Sequence, residues 1–150
     1  MKYPKISNAS DGTTIIEMIV VIGILGILLG LSAPTLFKFY NQSSARGERD
    51  TLIALLREAR NLALVNDNND NHGLYIASTE YIIFKGTSYD TRDSSYDQDF
   101  PRLPGITIAG PSEIGFKRLS GKASNAAFTL SNDDITFTVT VNQEGRIDWQ

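Results

Sequence analysis

The chain has 150 residues, 21% of them charged and 41% hydrophobic, with a net charge of −3 and a pI near 5.1. The length fits one domain, the acidic balance excludes an overall basic nucleic-acid binder, and 7 Phe, 6 Tyr and 1 Trp exclude a disordered acidic tail. The absence of cysteine excludes a disulfide framework, a thiolate zinc site and a cysteine nucleophile.

Residues 1–12 are short, polar and mildly basic, with Lys2 and Lys5 set against Asp11. They are followed by an uncharged run from Met18 to Phe37, 20 residues. As a helix this run would extend about 30 Å, close to the hydrocarbon thickness of a bilayer, so the sequence predicts a membrane-competent segment. Gly12 precedes the apolar run and no A-x-A site follows it, which is not the order of a secretory signal. Only the portion after Lys38 is long enough to fold, so the expected arrangement keeps residues 1–12 in the cytoplasm and exports the C-terminal domain.

Glu17 opens the apolar run. An ionisable group in such a helix either marks a functional contact with a partner or lies solvated at headgroup level, and its position alone leaves both open. Gly23, Gly26 and Gly30 fall on roughly one helical face, where small residues let helices approach closely, although glycine is also simply frequent in membrane helices. Pro34 has no N–H for the Gly30 carbonyl, which predicts a kinked or melted stretch.

The stretch from Gly12 through Thr13, Thr14, Ile15, Ile16 and Glu17 to Leu28 resembles the class III signal of type IV pilins and type II secretion pseudopilins. That pattern is a polar leader ending in Gly, a small apolar set, Glu as the fifth mature residue and a later proline, here Pro34. The resemblance implies cleavage between Gly12 and Thr13 by a prepilin peptidase, methylation of the new amine at Thr13, and Glu17 neutralising the N-terminal amine of a neighbouring subunit. Such a pair, out of water, would set axial register more than raw stability. This chain has Thr13 where the family usually has Phe or Met, and Asp11 where a basic residue is common.

Residues 38–66 repeat Leu52, Leu55, Leu56, Ala59, Leu62 and Ala63 at helical spacing, with Arg46, Glu48, Arg49, Asp50, Arg57, Glu58 and Arg60 on the other faces. This predicts an amphipathic continuation of the helix that docks its stripe on a sheet, its charges forming a solvated face. Asn66 to Gly73 is a stop and turn. It fails the EF-hand pattern, and His72, the only histidine, is expected at a strand edge.

From Gly73 the period becomes two. Strands are expected at 74–77, 81–84, 105–108, 113–117, 127–130, 135–141 and 146–149, with residues 87–102 a surface loop that packs its own aromatics. The order of elements, the phrase from Ile114 to Ala123 and the Glu144-Gly145-Arg146-Ile147 ending are loosely similar to the minor pseudopilin H group and its FimT-like relatives.

The expected fold class is α+β: a long N-terminal helix, transmembrane in its first half and amphipathic in its second, packed on an antiparallel β-sheet domain, pilin-like. The expected segments are a leader at 1–12, a transmembrane or filament-core helix at 13–37, its continuation at 38–66 and a β-domain at 72–150. No catalytic constellation, metal site or cofactor site is found: one histidine supports no triad, and adjacent Asp133 and Asp134 would point to opposite faces of a strand.

The expected function is a structural subunit, a minor pilin or pseudopilin of a type IV pilus or type II secretion-like filament. Its partners would be other pilin or pseudopilin subunits, a prepilin peptidase, an inner-membrane assembly platform and the lipid bilayer. Its location would be the bacterial cytoplasmic membrane, single-pass, and then an extracytoplasmic filament. Two alternatives stand beside this. One is a DNA-uptake pilin using Lys117, Arg118 and Lys122 as phosphate contacts; the other is an ordinary membrane-anchored extracytoplasmic β-domain.

Overall fold

A computed structural model describes residues 12–150, with the side chains of residues 31–38 left out of the description. The described residues divide into two units, residues 12–37 and 38–150. A single helix, α1 (Ile15–Leu64, 50 residues), contributes to each. It opens with Thr14 as its cap: Thr14 Oγ1 accepts from the Glu17 N–H at 3.3 Å, and the Thr14 carbonyl accepts from the Met18 N–H at 3.2 Å. Thr-x-x-Glu is the sequence form of a capping box, and it explains why helix begins two residues beyond Thr13.

In the first unit the described side chains of α1, Ile15 to Gly30, are all exposed, Ile15 at 81% and Leu29 at 72%. The second unit carries the core. From α1 it takes Ala45, Leu52, Ile53, Leu55, Leu56, Ala59 and Ala63, a stripe at three- and four-residue spacing. That stripe meets two antiparallel four-stranded sheets. The first has the order β3-β2-β1-β5, made of β1 (His72–Ile76), β2 (Glu80–Lys85), β3 (Gln98–Pro101) and β5 (Glu113–Phe116). The second has the order β4-β6-β7-β8, made of β4 (Thr107–Ala109), β6 (Ala126–Ser131), β7 (Thr136–Val141) and β8 (Ile147–Trp149). One sheet adds Leu74, Tyr81, Ile83, Ile114 and Phe116 to this core; the other adds Phe128, Leu130, Phe137, Val139 and Val141.

The expected fold class is therefore corrected. Among the described residues no helix is long and apolar enough to cross a membrane. The β-structure begins with β1 at His72, and it is not one sheet. It is two sheets packed with residues 38–64 of α1, which supply much of the core and belong to the same unit. The leader expected at 1–12 lies outside the described residues up to position 11, as does the side chain of Pro34.

Local chemistry explains the strand pattern. β7 alternates exposed or partly exposed Thr with buried Phe137, Val139 and Val141. Its turn to β8 is closed by Asn142, whose Oδ1 accepts from the N–H groups of Glu144 and Arg146. β3 is the strand the sequence does not announce: its residues are mostly exposed and do not alternate, and it forms by pairing with β2 through Ile82↔Asp99 and its neighbours. The rest of the 87–102 segment behaves as expected. Tyr89 stacks on Tyr75 with ring centroids 3.7 Å apart, and Arg92 lies 3.6 Å over the Tyr89 ring. Gly73 makes room beneath this cover, since a Cβ there would collide with the Phe84 ring and the Ile114 carbonyl.

Candidate functional site

The first group of residues singled out by sequence lies at the start of α1. Gly12, Thr13 and Glu17 are exposed. Glu17 sits at the third helical position, where a carboxylate faces the unpaired N–H groups and the positive end of the helix. The Glu17 N–H thus serves the helix cap while its carboxylate stays exposed. Nothing lies within 4 Å of a Cβ built at Gly12, Gly23, Gly26 or Gly30, so these glycines answer to no packing need within the described residues.

The second group is the basic one. Arg118 Nη1 donates to the Asn69 carbonyl at 3.0 Å and to Asn69 Oδ1 at 3.1 Å, and Lys122 Nζ pairs with Glu144 at 3.2 Å. Arg118 thus fastens the 117–122 turn to the Asn-rich turn after α1. The Lys117 side chain has no such partner among the described residues, so the three cations do not form a free cluster.

Two charged residues of α1 do not lie on a solvated face. Glu48 is 1% exposed. Its Oε1 accepts from the Tyr81 hydroxyl at 2.7 Å, its Oε2 accepts from the Leu103 N–H at 3.2 Å, and Arg102 Nε lies 3.7 Å away. Arg102 in turn donates to the carbonyls of Ala77, Ser78 and Ile106. Burial, reinforced by the hydrogen bond to Glu48, pushes the Tyr81 phenol well above its ordinary value, so it stays protonated and donating. This node ties α1 to β2 and to the segment before β4. Arg49, the neighbouring charge, stacks 4.0 Å over Trp149 and 4.7 Å from the Phe137 ring. Glu48 follows Ala45 by three residues and precedes Leu52 by four, so it shares their helical face, and that register is the signal by which its burial could have been found.

His72 opens β1, which is interior in its sheet, and it is 4% exposed, so it is not the edge residue expected. Burial lowers its pKa, opposed by Asp67, whose Oδ2 is 3.7 Å from Nε2. Asn66, Asn68 and Asn69 adopt positive φ in the turn before it, as Asn tolerates. Among the described residues no group of three His, Cys, Asp or Glu could hold a metal ion.

No protein-family model matches the chain, and no curated protein and no solved structure shows a match to it.

Proposed function

We propose that this chain is a structural subunit, a minor pilin or pseudopilin of a type IV pilus or type II secretion-like filament, cleaved after Gly12 and assembled through its N-terminal helix. One observation carries the proposal: Ile15 to Leu29 present twelve large apolar side chains, each at least 46% exposed, while the second unit has a filled core of its own. An apolar surface of that extent needs a covering partner. The Gly12 to Glu17 pattern supports identical helices as that partner, with Glu17 meeting the amine that cleavage would create on Thr13 of a neighbour. A prepilin peptidase and an inner-membrane assembly platform follow as partners. The route runs by way of the bacterial cytoplasmic membrane, with the β-domain on its outer side.

The reading as a DNA-uptake pilin gains no support from the basic group, since Arg118 and Lys122 are engaged within the domain. Glu17→Leu tests the filament reading. It should abolish recovery of the chain in sheared filaments while leaving cleavage after Gly12 intact, and Glu17→Asp should restore part of it. Full assembly of Glu17→Leu would refute the role of the carboxylate.

A further inference from the structure

From residue 39 on, seven large apolar side chains are exposed. Two of these carry a cation as cover: Lys85 Nζ lies 3.9 Å from the Tyr96 ring centroid, and the Arg49 guanidinium 4.0 Å from that of Trp149. The other five fall into two groups. Phe39, Tyr40 and Leu103 stand where α1 enters the second unit, and Val65 and Leu119 stand where α1 ends. At about 1.5 Å per residue, Tyr40 and Leu64 are about 36 Å apart along the helix, so the two groups do not meet within one chain.

The first group shapes a hollow. Tyr40, Leu103, Pro104 and the buried Ile106 line about 210 Å³ of space, together with Asp133. Two hydrogen bonds fasten its parts: the Asn41 carbonyl accepts from Asn132 Nδ2 at 2.9 Å, and Asn41 Nδ2 donates to Asp134 at 3.1 Å. Asp133 is exposed, and its carboxylate has no hydrogen-bond or ionic partner among the described residues.

The second group is held outward by strained backbone. Leu119 has a φ of 61°, in the left-handed region that a leucine rarely adopts. Its N–H donates to the Ala63 carbonyl at 2.8 Å, which caps α1 and brings the 117–121 turn to the same end of the helix as Val65. The helix gains a cap from this conformation, yet the leucine side chain gains no cover: it is 67% exposed, and Val65 is 73% exposed. Strain retained without cover points to a contact outside the chain. Lys117, in the same turn, is exposed and its ammonium has no partner among the described residues.

We propose that the second unit docks head to tail on a second copy of this chain, Leu119 and Val65 of one copy seating in the Tyr40–Leu103–Ile106 hollow of the next, with Lys117 meeting Asp133. The two groups match in form and in charge: an aliphatic pair beside a free cation, and an apolar hollow beside a free anion. Each copy supplies both halves, which selects a second copy over an unrelated partner. Such a contact is heterologous, so it repeats from copy to copy and does not close as a two-fold pair. The inference rests on the filament reading for its setting and adds to it a face by which β-domains meet.

Every residue of the core lies between Ala45 and Ile147, so residues 38–150 keep that core whole and serve for the test. The chain has no cysteine of its own. Leu103→Cys and Leu119→Cys are introduced singly and together, and the protein is oxidised at about 1 mM. The double variant should give a ladder of dimer, trimer and longer products on non-reducing gels, and each single variant only monomer. Leu103→Cys combined with Ala54→Cys, on the exposed face of α1, should give no ladder. Lys117→Glu and Asp133→Lys should each lower the ladder yield about threefold, the scale of an exposed ion pair, and together restore it. Absence of the ladder would overturn the proposal. So would dimers from either single variant, an equal ladder from the Ala54→Cys pair, or yields unmoved by the charge reversals. Because residues 38–150 lack Gly12 and Glu17, this result is separate from cleavage and filament recovery, and failure of the filament reading would show in those two measurements alone.

Discussion

Removing the Glu48 carboxylate perturbs the most buried charge among the described residues of the domain. In Glu48→Ala the Tyr81 hydroxyl and the Leu103 N–H lose their acceptor, and Arg102, 9% exposed, keeps its charge with no counter-charge nearby. Breaking a buried pair from one side costs about 3–5 kcal/mol. At roughly 4 °C per kcal/mol for a domain of this size, the melting temperature should fall by about 12–20 °C. Tyr81→Phe removes a single hydrogen bond to a charged acceptor and should cost less, about 1.5–3 kcal/mol. Because the two groups touch, the double variant should be less destabilised than the sum of the singles. Urea unfolding of residues 38–150, followed by far-ultraviolet circular dichroism, gives all three values. A loss below about 1 kcal/mol for Glu48→Ala, or full additivity with Tyr81→Phe, would refute the buried node as an organiser of the fold.

Other outcomes follow from individual contacts. Burial lowers the His72 pKa below 6.5, so the unfolded chain takes up this proton first as pH falls. Stability should therefore drop as pH decreases through about 6.5, a dependence that His72→Gln removes; an unchanged pH profile in that variant would contradict the burial argument. The Tyr81 phenol runs the other way. Its folded pKa lies above the usual 10.0, so its contribution is complete below pH 10 and is lost as pH rises further, and Tyr81→Phe should flatten the alkaline limb of the unfolding midpoint. Gly73→Ala sets a methyl against the Phe84 ring and the Ile114 carbonyl and should cost about 1–3 kcal/mol in the same urea assay.

Much of the domain was legible because its hydrophobic periods are clean. The Leu52 to Ala63 stripe, the alternating β7, the Asn142–Gly145 turn and the Asn-rich stop after α1 all express local rules that packing then obeys. What escaped depends on contacts distant in sequence. β3 exists because β2 offers it an edge, and Gln98-Asp99-Phe100-Pro101 shows no alternation of its own. Glu48, Arg49 and His72 read as surface charge or edge polarity, yet Tyr81, Trp149 and the strands flanking β1 enclose or cover them. At the helix start the charge of Glu17 masks a second signal, the Thr-x-x-Glu spacing that places its N–H on the Thr14 hydroxyl. The division into two sheets was not legible, since alternation fixes which face is buried and not which strands become neighbours.

The filament proposal turns on whether Gly12 is a processing site. Coexpression of the full chain with a prepilin peptidase, followed by intact-mass measurement, tests this most directly. The expected product has lost residues 1–12, begins at Thr13 and can carry one added methyl group, and Gly12→Ala should block its formation. A chain of full mass in the presence of active peptidase would contradict the proposal and leave the exposed Ile15–Leu29 surface to be explained by another partner.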